Sequence, residues 1–171
     1  MSELITIVQH PSRHALAVAE KVGTMKLGKV MGPAYQEITD LLKKQNIECG
    51  AQDVPFTLYK NVNWDTMNKK GFFAMVTMLF FHQWDMEIGI PCPEQATGEG
   101  RIHSITLDEG KYIRAIHTGP YMKVGDTYTC MQHYAAEQQM RLKPLSIEFY
   151  LNDPRKVKPE ELETEVLVPV G

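Results

Sequence analysis

The feature that most constrains this chain is an internal repeat of strand, helix, strand and strand. Residues 15–22 read as a strand, Gly23-Thr24-Met25 as a turn, and a helix follows from about Leu27 to Gln45. Leu27, Val30, Met31, Ala34, Ile38, Leu41 and Leu42 recur there at helical spacing. PFTLYK (55–60) and WDMEIGIP (84–91) then read as strands. The second half keeps this order. KYIRAIHT (111–118) is a strand, Gly119-Pro120-Tyr121 a turn, 123–140 a helix, and PLSIEFYL (144–151) and ETEVLVP (163–169) are strands.

The registers of the two halves can be compared directly. Gly119 lies 96 residues beyond Gly23, Pro144 lies 89 beyond Pro55, and Pro169 lies 78 beyond Pro91. Glu165 also lies 78 beyond Glu87, so DMEIGIP and TETEVLVP share an acid and a closing proline. The first half is therefore longer by 7 residues after its helix, near 48–54, and by 11 in the next connection, 61–83. That second surplus contains the apolar run GFFAMVTMLFF (71–81). Residues 4–9 and 101–107 each precede a unit and read as its additional strand.

The expected fold is α+β, with two strand–helix–strand–strand units related by a pseudo-twofold axis. Pairing the units edge to edge removes two open sheet edges, makes one antiparallel sheet and puts both helices on one face. A central cleft results, a common place for a small-molecule pocket. At 171 residues, 43% of them apolar, the chain suits a single domain over 1–171. Unit one spans about 3–92, with the apolar insertion near 61–83, and unit two about 100–171.

Several classes are set aside. The net charge is −3 with no basic stripe, which argues against direct nucleic-acid binding. MSELITIVQHPSRH has neither the basic n-region nor the apolar h-region of a signal peptide. The run 71–81 is far short of the roughly 20 residues a membrane span needs. Cys49, Cys92 and Cys130 are odd in number and widely spaced, which suggests reduced thiols in a cytoplasmic protein. Gly23–Lys29 (GTMKLGK) approaches a phosphate-binding loop, but Val30 stands where Ser or Thr must reach magnesium. His10, His14, His82, His103, His117 and His133 form no ligand cluster, and only His117, beside a turn, is retained. No metal or cofactor is expected, and no nucleophile or dinucleotide fingerprint is present.

Glu148 is the most informative residue. In LSIEFYL, alternation puts Leu145, Ile147, Phe149 and Leu151 on one face and Ser146, Glu148 and Tyr150 on the other. The first face is expected to pack under the helices. The second suits solvent or a pocket, and its position aligned with Glu148 in the first unit is Tyr59. A carboxylate among aromatic rings attracts an organic cation through charge and ring quadrupoles. The same burial raises its proton affinity and suits a general acid or base. Trp64, Phe73, Met75, Trp84, Tyr112 and Tyr121 add aromatic and thioether surface, and ten methionines favour adaptable contacts. The run 71–81 lacks an interleaved basic face, so a lid or an extra core element fits it better than a membrane surface.

HTGPY (117–121), PLSIEFYLNDP (144–154), TEVLVPV (164–170) and its first-unit counterpart DMEIGIPC, taken together, resemble the gyrase-inhibitor-like small-molecule-binding domain. The same domain serves as the effector-binding domain of some bacterial transcription activators. The resemblance implies the duplicated fold, a hydrophobic cleft and binding of lipophilic, often cationic, aromatic compounds. It also places the family's cleft glutamate on Glu148 and the tyrosine of its HxGPY segment on Tyr121. The apolar insertion departs from the compact pattern.

Three functions follow as expectations. The first is binding of a bulky aromatic cation, with Glu148 supplying charge and Tyr59, Tyr112, Tyr121, Tyr150 and Trp84 the stacking surface. The second is hydrolysis of a cyclopropane-bearing electrophile, with Glu148 positioning water and Tyr121 assisting proton transfer. The third is a gyrase-inhibitor-like interaction protein, or a homodimer formed through 71–81 instead of a monomer. Haem binding, as in a related fold, lacks a marked axial ligand.

Overall fold

The computed structural model describes residues 4–67 and 82–171. Strands β1 (Thr6–His10) and β2 (Arg13–Gly23) lead into helix α1 (Leu27–Lys44), then β3 (Phe56–Lys60), the single turn α2 (Trp64–Met67) and β4 (Gln83–Pro91). The second half gives β5 (Ile102–Leu107), β6 (Gly110–Thr118), α3 (Val124–Glu137), β7 (Leu145–Tyr150) and β8 (Glu163–Pro169). The run 71–81, with Phe73 and Met75, lies outside the described residues.

The eight strands form one antiparallel sheet in the order β1-β6-β8-β7-β3-β4-β2-β5. The halves join where β3 pairs with β7, with Phe56 opposite Phe149, Leu58 opposite Ile147 and Lys60 opposite Leu145. The offset of 89 carries Leu58 onto Ile147, so that pair maps onto itself and marks the pseudo-twofold axis. The edge-to-edge union expected from the repeat is this ladder.

The additional strands differ from expectation. β1 precedes the first unit yet pairs with β6 of the second, and β5 precedes the second unit yet pairs with β2 of the first. The two units therefore exchange their leading strands. This exchange dictates the shape of the sheet. β1 and β2 stand six places apart in the strand order, roughly 29 Å in a flat sheet at about 4.8 Å per strand. Only Pro11 and Ser12 connect them, and three Cα steps reach about 11 Å. The sheet must curl until its ends approach, and it forms a half-barrel.

The ladders also correct the alignment of the turns. Ala15 pairs with Pro91 and Tyr112 with Pro169, so β2 and β6 are related by 97 residues rather than 96. Gly23 thus matches Pro120, both extended, with φ of −71° and −58°, and each before a single 3-10 turn. Gly119, at φ +129°, holds a conformation that side chains rarely adopt. At the corrected offset, Met-Lys-Leu-Gly (25–28) falls on Met-Lys-Val-Gly (122–125).

Curling buries the inner face of the sheet against itself. Ala15, Phe56, Leu58, Leu107, Ile147, Phe149 and Leu167, from five strands, form that interior. The Leu145, Ile147 and Phe149 face of β7 therefore lines the inside of the curl, not the underside of a helix as expected. The helices cover the other face. Leu16, Val18, Met86, Ile88 and Ile90 pack on Ala34, Ile38, Leu41 and Leu42 of α1. Ile113, Ala115, Val166 and Val168 pack on Tyr128, Met131 and Ala135 of α3. Inside the curl, a Cβ on Gly89 would stand 2.5 Å from Phe56 Cζ and 2.9 Å from the Leu16 carbonyl oxygen. Gly89→Ala is expected to destabilise by about 1–3 kcal/mol through overpacking, which thermal denaturation measures directly.

Candidate functional site

Helix α1 packs on β2 and β4, and α3 on β6. The central strands β3 and β7 run between the helices, so their helix-side residues floor a groove. Thr57 and Tyr59 come from β3, and Ser146, Glu148 and Tyr150 from β7.

Glu148 is only 7% exposed. Tyr128 of α3 donates to its Oε1 at 2.8 Å, and Tyr150 donates to its Oε2 at 3.1 Å. Ser146 Oγ lies 2.6 Å from the Tyr128 hydroxyl. With the phenol proton committed to the carboxylate, Ser146 is the donor in that pair. Tyr35 of α1 donates to the Phe56 carbonyl at 3.0 Å and lies 3.0 Å from Thr57 Oγ1. Thr57 Oγ1 is also 3.3 Å from the Tyr150 hydroxyl, so its one proton serves one of the two phenols. The network accommodates an ionised Glu148 and equally a neutral one, which would donate to Tyr150 as Tyr150 turns its proton to Thr57 Oγ1.

Desolvation opposes that ionisation. Burial raises the Glu148 pKa above the usual carboxylate range, while hydrogen bonds from Tyr128, Tyr150 and Tyr59 and the field of His117 pull it partly back. Burial wins. It also holds Tyr59, Tyr128 and Tyr150 well above the ordinary phenol range, and the neighbouring Glu148 adds to this. All three stay neutral donors.

A rim of rings surrounds the cluster. Tyr121 meets Tyr150 edge-on with centroids 5.4 Å apart, and at 37% exposure it is the outermost ring on that side. Trp84 meets Tyr59 edge-on at 5.3 Å and donates from Nε1 to Thr24 Oγ1 at 3.0 Å. Trp64 packs on Tyr128 at 5.8 Å. His117 is buried, with Nε2 3.2 Å from the Pro120 carbonyl and Nδ1 2.9 Å from Thr127 Oγ1. A carbonyl only accepts, so Nε2 carries a proton there. His117 thereby ties β6 to the turn that presents Tyr121.

The structure brings Glu148, Tyr59, Tyr121 and Tyr150 together and sets Trp84 and Trp64 against that group. Tyr112 is elsewhere. It belongs to the interior of the curl, donates to the Asp108 carbonyl at 2.9 Å and meets His10 edge-on. It also lines a separate cavity of about 310 Å³ with Lys60, Asp108, Lys111 and Lys143. A second cavity of about 560 Å³ lies against Asn61, Trp64, Asp65 and Arg141. Glu148 lines neither, because the tyrosines close over it. Tyr35 and Tyr128, which complete the cluster from the helices, escape the sequence reading. Their signal is faint. Tyr128 shares the buried stripe of Met131 and Ala135, and Tyr35 adjoins that of Ala34 and Ile38.

Among the described residues no group of three His, Cys, Asp or Glu side chains is placed to hold a metal. No helix of these residues is long and apolar enough to cross a membrane. Burial pushes the Cys92 thiol up to about 11, which leaves it a poor nucleophile at neutral pH.

The family model described as the GyrI-like small molecule binding domain matches residues 5–171. No curated protein matches the chain. Among solved structures, the EcmrR C-terminal domain superposes with a TM-score of 0.79 at 18% identity, covering 100% of this chain and 99% of that one. The chain spans 57% of the EcmrR chain in its DNA complex, with a TM-score of 0.76 at 18% identity and 98% of this chain covered. A hydrolase from Listeria innocua gives 0.69 at 16% identity, covering 98% and 91%. SAV2435 bound to tetraphenylphosphonium gives 0.65 at 19% identity, covering 98% and 94%.

Proposed function

The chain belongs to the GyrI-like small-molecule-binding domain family, and from that premise we propose that its groove receives a bulky aromatic cation. One observation carries the reading. A carboxylate at 7% exposure takes its described hydrogen bonds from neutral phenols, and its proton affinity is raised by burial. A ligand that brings a positive charge against Glu148 offsets that desolvation, and the surrounding rings offer their faces to the same charge. Tyr121, exposed and leaning on Tyr150, is the ring that moves aside on entry. The tetraphenylphosphonium held by the similar SAV2435 structure is of this chemical class.

The test is a calorimetric titration with tetraphenylphosphonium between pH 5 and 8, with neutral triphenylphosphine oxide as comparator. A cation binds the ionised carboxyl. Since burial raises the Glu148 pKa, the ionised fraction grows as pH rises through that raised value, and affinity is expected to strengthen and then level off. The neutral comparator is expected to show no such slope. Equal pH profiles for the two compounds would remove the charge from the proposal.

A second reading draws on the same raised proton affinity, which suits a general acid beside Tyr150. One of the similar structures is a hydrolase from Listeria innocua. In this reading Glu148 acts on a strained electrophilic ring, and Tyr121 assists. Product release from a cyclopropane-bearing substrate, lost in Glu148→Gln, distinguishes turnover from binding.

A further inference from the structure

Two of the most exposed apolar side chains among the described residues occupy equivalent places in the two halves. Met25 is 63% exposed and Met122 is 84% exposed, and the ladder offset of 97 carries one onto the other. Each sits in the single 3-10 turn ahead of a long helix, at Thr24–Lys26 and Tyr121–Lys123. Neither belongs to a buried cluster of the described residues, so packing among those residues gives no reason for methionine at either position.

The repeat sharpens the point, because the groove between these turns has diverged. Tyr59 is the repeat equivalent of Glu148 and Thr57 of Ser146 at the offset of 89, and Met31 of Tyr128 at 97. The segments MKLG and MKVG, by contrast, remain nearly the same. Leu27 and Val124 pack against the clusters under their helices, but the exposed methionines do not.

Each turn is also tied to the groove floor by the residue just before its methionine. Thr24 accepts the Trp84 indole proton at 3.0 Å, and Trp84 leans on Tyr59. Tyr121 leans on Tyr150, which donates to Glu148. The two turns that carry the methionines therefore touch opposite walls of one groove, through Trp84 on one side and Tyr150 on the other. We propose that Met25 and Met122 are the outer jaws of the ligand site and close on the aromatic groups of the bound cation from its two sides. An unbranched, polarizable thioether adapts to rings of different outline and makes favourable contacts at their edges. Jaws of this kind select for aromatic bulk and leave the choice of charge to Glu148. The inference rests on the reading of the groove as a cation site.

The test uses the whole chain, with methionine ε-methyl groups labelled with ¹³C and assigned by Met25→Ala and Met122→Ala. Both residues are exposed, so the variants are expected to keep the wild-type melting temperature. On addition of tetraphenylphosphonium the two ε-methyl signals are expected to shift. Each variant is expected to bind about threefold more weakly, and the double variant about tenfold, on the scale of sulfur–aromatic contacts. Unmoved signals and unchanged affinities in a protein that binds the probe and loses affinity with Glu148→Gln would overturn the jaws and leave the charge site standing. A wild-type protein that does not bind the probe overturns both. Weakened methionine variants beside an unaffected Glu148→Gln would support the jaws and remove the charge.

Discussion

Replacing Glu148 by glutamine is expected to weaken tetraphenylphosphonium binding at pH 8 by about ten- to a hundredfold, and to raise the melting temperature of the unliganded protein. The two effects share one origin. Glutamine keeps the shape of the side chain: its carbonyl oxygen accepts from Tyr128, and its amide donates to Tyr150, which turns its own proton to Thr57 Oγ1 at 3.3 Å. Only the charge is lost. A ligand cation then meets a neutral dipole at the groove floor.

For the free protein the sign runs the other way. Burial raises the folded-state pKa of Glu148, so the folded protein holds this proton more tightly than the unfolded chain. That contribution is fully present below the unfolded carboxyl pKa and is lost as pH rises through the raised folded value. Above it, the wild type carries a desolvated charge that glutamine lacks. The stabilisation by Glu148→Gln is therefore expected to be larger at pH 8 than at pH 5, as differential scanning calorimetry measures. A lower melting temperature at pH 8 together with unchanged affinity would show that the carboxylate is a structural hydrogen-bond acceptor and nothing more.

The sequence discloses what is periodic and local. The alternation in LSIEFYL, the helical spacing of Ala34, Ile38, Leu41 and Leu42, and the offsets of 89 and 78 each follow from neighbours along the chain. They lead to two units that share a sheet edge; that the shared edge is β3 against β7 is a finding of the structure. The curl of the sheet is not local. A two-residue link such as Pro11-Ser12 ordinarily closes a hairpin, and nothing in it announces that β1 and β2 will pair with strands of opposite halves. Without the curl, the apolar face of β7 has no burial except under a helix, which is why that side is misread. Tyr112 shows the same limit in the site. Its position on β6 is odd relative to His117, so the two must face opposite ways, but which way is inward depends on the closed sheet. Tyr35 and Tyr128 are hidden differently, because a phenol within a buried helical stripe reads as core until its hydroxyl is placed against Glu148.

Deleting residues 1–10 is expected to unmoor the second half of the protein, not the first. All five pairs of β1, from Thr6 opposite Arg114 to His10 opposite Gly110, are made with β6. β6 then keeps only β8 and becomes an edge, while β2 retains both β4 and β5. The packing lost follows the same division: Ile5 leaves the cluster under α3, and Val8 leaves the interior of the curl. One ladder and two partly buried apolar side chains amount to roughly 2–4 kcal/mol, or a fall in melting temperature of about 5–15 °C for a chain of this size. Hydrogen exchange resolves the location. Amides of 110–118 are expected to lose protection, and those of 13–23 to keep it. Val8→Ala, which retains the ladder and thins only its packing, is expected to show the same pattern at smaller amplitude if the truncated chain folds poorly. Loss of protection in 13–23 with 110–118 intact would mean that each leading strand pairs within its own half, and the argument for a curled sheet would fall with the exchange. The uncovered edge of β6 carries a further consequence, since an unpaired strand recruits another chain. The truncated protein is therefore expected to associate with rising concentration, as sedimentation measures.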